Sequence, residues 1–168
     1  NLNGFQDTAI PLTLEGGALT TGTGTVHLGD TLTVRPDTQM ATIQGNASLM
    51  QALVITNTGH SALYDLTISA AIGGAHGLTK TGAGAARLSA SNSFTGPVTI
   101  NQGLLSSWNA DALGNTNTPV TVNSGGTLHV GGYVTFAPKP LVLNGPGWSG
   151  GGFNGALAAS DGNCVWTG

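Results

Sequence analysis

Seven carboxylates, four histidines and one cysteine are the first side chains of this 168-residue sequence to ask for acid–base, metal or nucleophilic chemistry. The carboxylates are Asp7, Glu15, Asp30, Asp37, Asp65, Asp111 and Asp161, scattered so that only Asp30 and Asp37 could approach each other on successive turns. Polysaccharide hydrolysis by paired acids, or Ca²⁺ binding, needs carboxylates gathered on one face. Asp30 and Asp37 read instead as two solvated turn residues. His27, His60, His76 and His129 share no metal-ligand spacing. His27 and His129 take matching places in an internal echo, which predicts an outward strand position for both. Gly22-Thr-Gly24 and Gly82-Ala-Gly84 lead into strands, so neither presents a helix N-terminus to a phosphate. Gly150-Gly-Gly152 lacks the aspartates of a Ca²⁺-binding nonapeptide. No Ser-His-Asp arrangement can be argued. The expectation is a chain without catalytic residues, metal or cofactor.

Two further residue types could still serve recognition. Cys164 is the single cysteine, which excludes an internal disulfide framework. It reads as a small buried hydrophobe, with a bond to a neighbouring chain as the sharper alternative. Trp148 and Phe153 lie in the Gly-rich stretch from Gly145 to Gly155, where a binding loop could sit. With Cys164 and Trp166 they are the candidate inter-chain contacts, covering coil ends or packing between copies. A sugar-stacking platform is the competing use of these rings, and surface glycans the corresponding partner.

The elements that must position these residues are all strands. Charged residues make up 7% of the chain, against roughly a quarter in an ordinary soluble domain. Gly accounts for 28 of 168 positions, and the other polar residues are mainly Thr, Ser and Asn. Thr suits the outward face of a strand, and Gly, Asn and Ser supply turns. Leu, Val, Ile and Ala recur at alternate positions, which argues for folding rather than disorder. The net charge of −3 and a pI near 5.6 give no reason to expect nucleic acid or an anionic membrane as partner. No apolar run reaches the length of a spanning helix, so no membrane insertion of this segment is expected. The sequence starts at Asn1 without initiator Met or signal peptide, which suggests a processed product or a piece of something longer.

From Leu12-Thr-Leu14 to Cys164-Val-Trp166, short alternating runs follow one another between turns, with no composition shift to mark a domain boundary. Leu78 and Lys80 flank Thr79, Ala86 and Leu88 flank Arg87, and Val98 and Ile100 flank Thr99. Leu88 and Ile100 belong inside. Each run spans about three to five residues, and only Ser107 to Leu113 could make a helical turn. Near-even spacing of this kind is produced by a chain that coils about one axis. Coils of roughly 20 to 25 residues give about seven or eight of them. The alternative, a β-sandwich, fits poorly with such short strands, few hairpin dipeptides and scarce core aromatics.

The residues Gly77-Leu-Thr-Lys-Thr-Gly-Ala-Gly84, Leu88-Ser89, Asn92-Ser-Phe-Thr-Gly96, Val98-Thr-Ile-Asn101 and Gly103-Leu-Leu105 resemble the autotransporter-associated β-strand repeat, or passenger-associated transport repeat. Ala110-Asp-Ala-Leu-Gly114, Ser124-Gly-Gly-Thr-Leu128 and Cys164-Val-Trp-Thr-Gly168 are similar to neighbouring parts of long tandem proteins of Gram-negative bacteria. The resemblance implies an all-β right-handed parallel β-helix, with residues 1–168 as one solenoid segment of a larger protein. It implies secretion to the outer cell surface, a structural or adhesive stem or fibre role, and contact with other copies or repeats end to end. Two departures stand out. Arg87 occupies a strand position where an apolar residue is usual, which points to an exposed or interface position. Cys164 stands where a polar residue is common, which leaves the inter-chain disulfide open.

Overall fold

The computed structural model describes residues 11–35, 39–59, 64–115, 117–150, 152–160 and 162–167, with the backbone of Gln6–Asp7. Among them there are strands and no helix, and every strand pairing is parallel. The chain folds as a right-handed parallel β-helix.

Alternation in the sequence dictates the stacking. One face is a ladder in which Leu12, Leu32, Ile55, Lys80, Ile100, Val122 and Leu143 lie one above another. Seven rungs are therefore present, and successive partners are 20 to 25 residues apart. A second face stacks Leu19, Ile43, Ile68, Leu88, Ser107, Val130 and Ala159 in the same way. The coil length predicted from spacing holds among the described residues. Leu88 and Ile100 are fully buried, as their register predicts.

The third face is less regular. Thr25–Leu28, Asn46–Leu49 and Ala71–Gly74 stack as strands. Further along, the ladder continues through single hydrogen bonds, Ser93 N–H to Ile72 O, Thr95 N–H to Gly74 O and Asn115 N–H to Phe94 O. Asn92 repairs the lost strand pairing with its side chain. Its Oδ1 accepts from Ile72 N–H at 2.8 Å and its Nδ2 donates to Ala112 O at 2.6 Å, so one buried amide ties three coils together. Thr135–Phe136 and Val165–Trp166 form a small separate pair near the end of the rod.

The sequence expectation of short runs throughout needs correction. Gly17–Val34 and Ala41–Asn57 are each continuous strands that pass round all three faces. Register shifts between Thr20 and Thr25 and between Leu28 and Asp30 take the bends. Gly22, Gly24 and Gly29 fall at those shifts, outside the pairing with the next coil, and the ladder resumes beyond each corner. The stretch from Ser107 to Leu113 makes turns rather than a helical turn, closed by Ala112 N–H to Asn109 O and Gly114 N–H to Asp111 O.

Candidate functional site

Two arrangements of polar side chains depart from a plain scaffold. The first lies inside the rod. Lys80 points inward on the first face and is fully buried. Its Nζ donates to Thr81 O at 2.7 Å, Gly82 O at 2.7 Å and Gln102 O at 3.1 Å, so all three N–H bonds of the ammonium meet carbonyls from two successive coils. Burial pulls the Lys80 pKa down to about 7, and the Asp65 carboxylate pulls it the other way. Gly103 completes this corner. It has φ +75°, and a Cβ there would lie 2.4 Å from both Gly82 O and Gly84 O and 2.9 Å from Lys80 Nζ. Asp65, also buried, accepts from Ala85 N–H at 2.8 Å and from Asn57 Nδ2 at 3.1 Å. Lys139 repeats the device nearer the end of the rod, donating to Asn115 O and Thr118 Oγ1, with its pKa lowered by burial.

The second arrangement covers the outside of the second face. Here outward residues form two columns, Ala85–Leu104–Thr127 and Arg87–Ser106–His129, on successive rungs. Tyr64, just ahead of the strand Leu66–Ile68, and Trp148 and Phe153, between the strands Leu141–Leu143 and Leu157–Ala159, lie beside them. Tyr64, Ala85 and Leu104 make a small apolar cluster against which Trp148 and Phe153 pack. Corners separated by several coils thus meet on one flank.

Hydrogen bonds knit the flank beneath the rings. Trp108 Nε1–H donates to Ser106 Oγ at 2.8 Å, and Tyr64 OH lies 3.3 Å from the same oxygen. Ser106 Oγ is 2.7 Å from His129 Nδ1, and His129 Nε2 is 2.8 Å from Ser160 Oγ. Phe153 lies against the His129 ring with centroids 4.5 Å apart. Trp148 N–H donates to Thr127 Oγ1 at 2.8 Å. Ser106 and His129 are both fully buried. Despite the Ser–His hydrogen bond, the hydroxyl has no access to a substrate, and the pair braces the rings above it. Linear spacing could not reveal the pair, because the two residues meet only when one coil is laid on the next.

Arg87 is the remaining member of this flank. Its guanidinium carbon lies 4.0 Å from the Trp108 ring centroid and 5.6 Å from that of Tyr64. For Arg87, where an exposed or interface position was expected, the side chain points outward and the two rings half-bury it. Trp108 can lie flat there because the neighbouring corner is glycine; a Cβ on Gly131 would come within 3.1 Å of the indole.

The histidine expectations divide. His27 stacks on Ser48 in the third face, whereas His129 stacks on Ser106 in the second, so their places are not equivalent. His27 is half-buried and His76 exposed, while His129 points outward but is roofed over. His60 lies outside the described residues, as do Asp37 and Asp161. Asp30 is exposed with φ 60°, and its Oδ1 accepts from Thr31 Oγ1 at 3.3 Å. Among the described residues no group of three or more His, Cys, Asp or Glu side chains could hold a metal ion.

The four candidate contact residues fall into two places. Trp148 and Phe153 belong to the flank. Cys164 and Trp166 lie near the end of the rod, both half-buried. Cys164 is a free thiol packed against the core, with Sγ 3.6 Å from Val130 O and Ser160 O. Trp166 stacks on Phe136 with centroids 5.4 Å apart and donates Nε1–H to Lys139 O at 3.1 Å.

Comparison with known proteins agrees with this geometry. The model of the passenger-associated transport repeat matches residues 78–106. These residues run from the rung that holds Lys80 to the one that holds Ser106. Asn92, Phe94 and Gly103 within them are coil-closing residues, which explains why the motif marks a fold rather than an activity. Over 125 residues the chain is 35% identical to a protein of Brucella suis biovar 1 (strain 1330) described as "Adhesin BmaC autotransporter". The match covers 73% of this chain and 4% of that protein, so the chain spans a small fraction of its relative's length. No solved structure matches the chain.

Proposed function

We propose that this chain, whose residues 78–106 match the passenger-associated transport repeat, is a non-enzymatic structural and adhesive length of an autotransporter passenger, displayed at or beyond the outer surface of a Gram-negative bacterium. Its mechanical principle is end-to-end stacking of β-coils. Each coil leaves unpaired backbone groups on its upper and lower edges, and the next coil satisfies them.

The observation that carries the reading is the state of the last rung described. Leu143 continues the column of Ile100 and Val122, both fully buried, yet is 45% exposed. Leu157 continues the column of Leu105 and Leu128, also fully buried, and is 36% exposed. Val142 and Val165 add further apolar surface at this end. A further coil, from the same polypeptide or a second copy, covers these side chains and extends the ladder. Trp166 and Cys164 stand near that edge and join the contact.

Electron microscopy of native, unproteolysed material tests this. Elongated rods or filaments with an axial repeat of about 4.8 Å are expected. Short isolated particles closed at both ends overturn the proposal.

A further inference from the structure

We infer that Arg87 and the aromatic flank around it form a binding site for a carboxylate-bearing sugar. The inference goes beyond the stem role and does not depend on end-to-end stacking.

The chain has four Lys and Arg residues. Arg35 pairs with Glu15 at 2.8 Å. Lys80 and Lys139 are buried with carbonyl acceptors on their ammonium groups. Arg87 is different: among the described residues it has neither a carboxylate nor a carbonyl partner, and its Nε is buried with no hydrogen bond. Ring faces hold the guanidinium in place, Trp108 at 4.0 Å and Tyr64 at 5.6 Å. Stacking occupies the faces of the guanidinium, and with Nε buried it is the two Nη groups that can meet a carboxylate with two parallel N–H···O bonds.

The surroundings specify the rest of the ligand. Trp148 and Phe153 are half-buried and packed on Tyr64, Ala85 and Leu104, so they continue the aromatic surface that begins at Arg87. Pyranose rings present apolar C–H faces that lie against such rings, and their hydroxyls are satisfied by uncharged polar neighbours and water. Among the described residues no carboxylate lies within ion-pair distance of Arg87, so a ligand carboxylate meets no competing partner there. A hydrogen-bonded floor of Ser106, His129 and Thr127 holds the rings rigidly and keeps the ordering cost of binding small. The combination of one unpaired guanidinium and an adjoining aromatic strip fits a uronic-acid oligosaccharide better than a neutral one.

The test is titration of the 168-residue chain with tetragalacturonate and, in parallel, with a neutral galactose tetramer, read by calorimetry and tryptophan fluorescence. The acidic tetramer is expected to bind saturably and the neutral one at least about tenfold more weakly. Arg87→Met keeps an apolar stem against Trp108 and removes the charge. It should weaken the acidic tetramer by about tenfold or more while leaving thermal unfolding nearly unchanged. Trp148→Ala should weaken the same ligand with Arg87 intact. Equal affinity for the two tetramers, unchanged affinity in Arg87→Met, or no saturable binding at millimolar ligand each overturns the site. None of these outcomes alters whether the rods form, so failure here is distinct from failure of the stem proposal.

Discussion

A lysine inside a β-helix is the residue whose behaviour the fold determines most directly. Lys80 ionises near 10.5 in an unfolded chain and, once buried, at about 7. Between those values the unfolded chain holds the extra proton, so stability rises as pH rises through the window. Below about 7 both states are protonated and the full cost of burying the charge is present. Melting temperature should therefore climb between pH 7 and pH 10, by an amount bounded at several kcal/mol, since each tenfold change in proton affinity is worth about 1.4 kcal/mol. Burial shifts Lys139 in the same direction, and it adds a slope of the same sign. Lys80→Met should remove most of the climb, and a variant with the wild-type slope would show that Lys80 is not its source. The inward register of Lys80 was legible, because it flanks Thr79 opposite Leu78. Its carbonyl partners were not, because Gln102 stands 22 residues further along and arrives only when the next coil is laid down.

Strands of this molecule are read correctly by alternation and incorrectly by turn residues. Val98–Ile100 illustrates the first point: Val98 and Ile100 are fully buried and Thr99 between them is half-exposed. Ile100→Asp should lower unfolding stability by at least about 3 kcal/mol, since an unpaired charge would sit in the core. Leu88→Asp should do the same. Thr99→Asp in the same strand should change it by no more than about 1 kcal/mol. Chemical denaturation of the three variants measures the contrast, and similar losses at Thr99 and Ile100 would refute the register. In Gly17–Val34, short runs between turns were expected, and one strand instead continues round the coil with shifts of register at its corners. The flank shows the same limit at a longer range. Trp148 and Phe153 were recognisable as loop aromatics, but their packing on Thr127, His129 and the cluster of Tyr64, Ala85 and Leu104 depends on how the intervening rungs stack. Likewise the echo that equated His27 with His129 followed local sequence and missed that they occupy different faces.

At the scale of the whole rod, stability is a sum of coils and of the contacts between neighbours, so an uncovered edge is both the weakest place and the point of growth. Interior columns show what the edge lacks. Leu66, Ala86, Leu105 and Leu128 are each fully buried between coils, whereas Leu157 in the same column has a neighbour on one side only. Burying the exposed part of a leucine side chain contributes on the order of 1 kcal/mol. Backbone pairing along three faces adds directionality, because an incoming coil must match strand direction and inside–outside register. Leu143→Lys combined with Leu157→Lys places two charges where that coil must dock, while disturbing little within the chain itself, since both side chains already reach solvent. Light scattering over a concentration series should show wild-type chains associating into elongated species as concentration rises. The double variant should remain monomeric with nearly unchanged melting. Association that persists in the double variant would move the contact away from this edge and onto another surface. Monomers at every concentration in the wild type would mean that a free copy cannot supply the missing coil, and that growth of the rod requires covalent continuity.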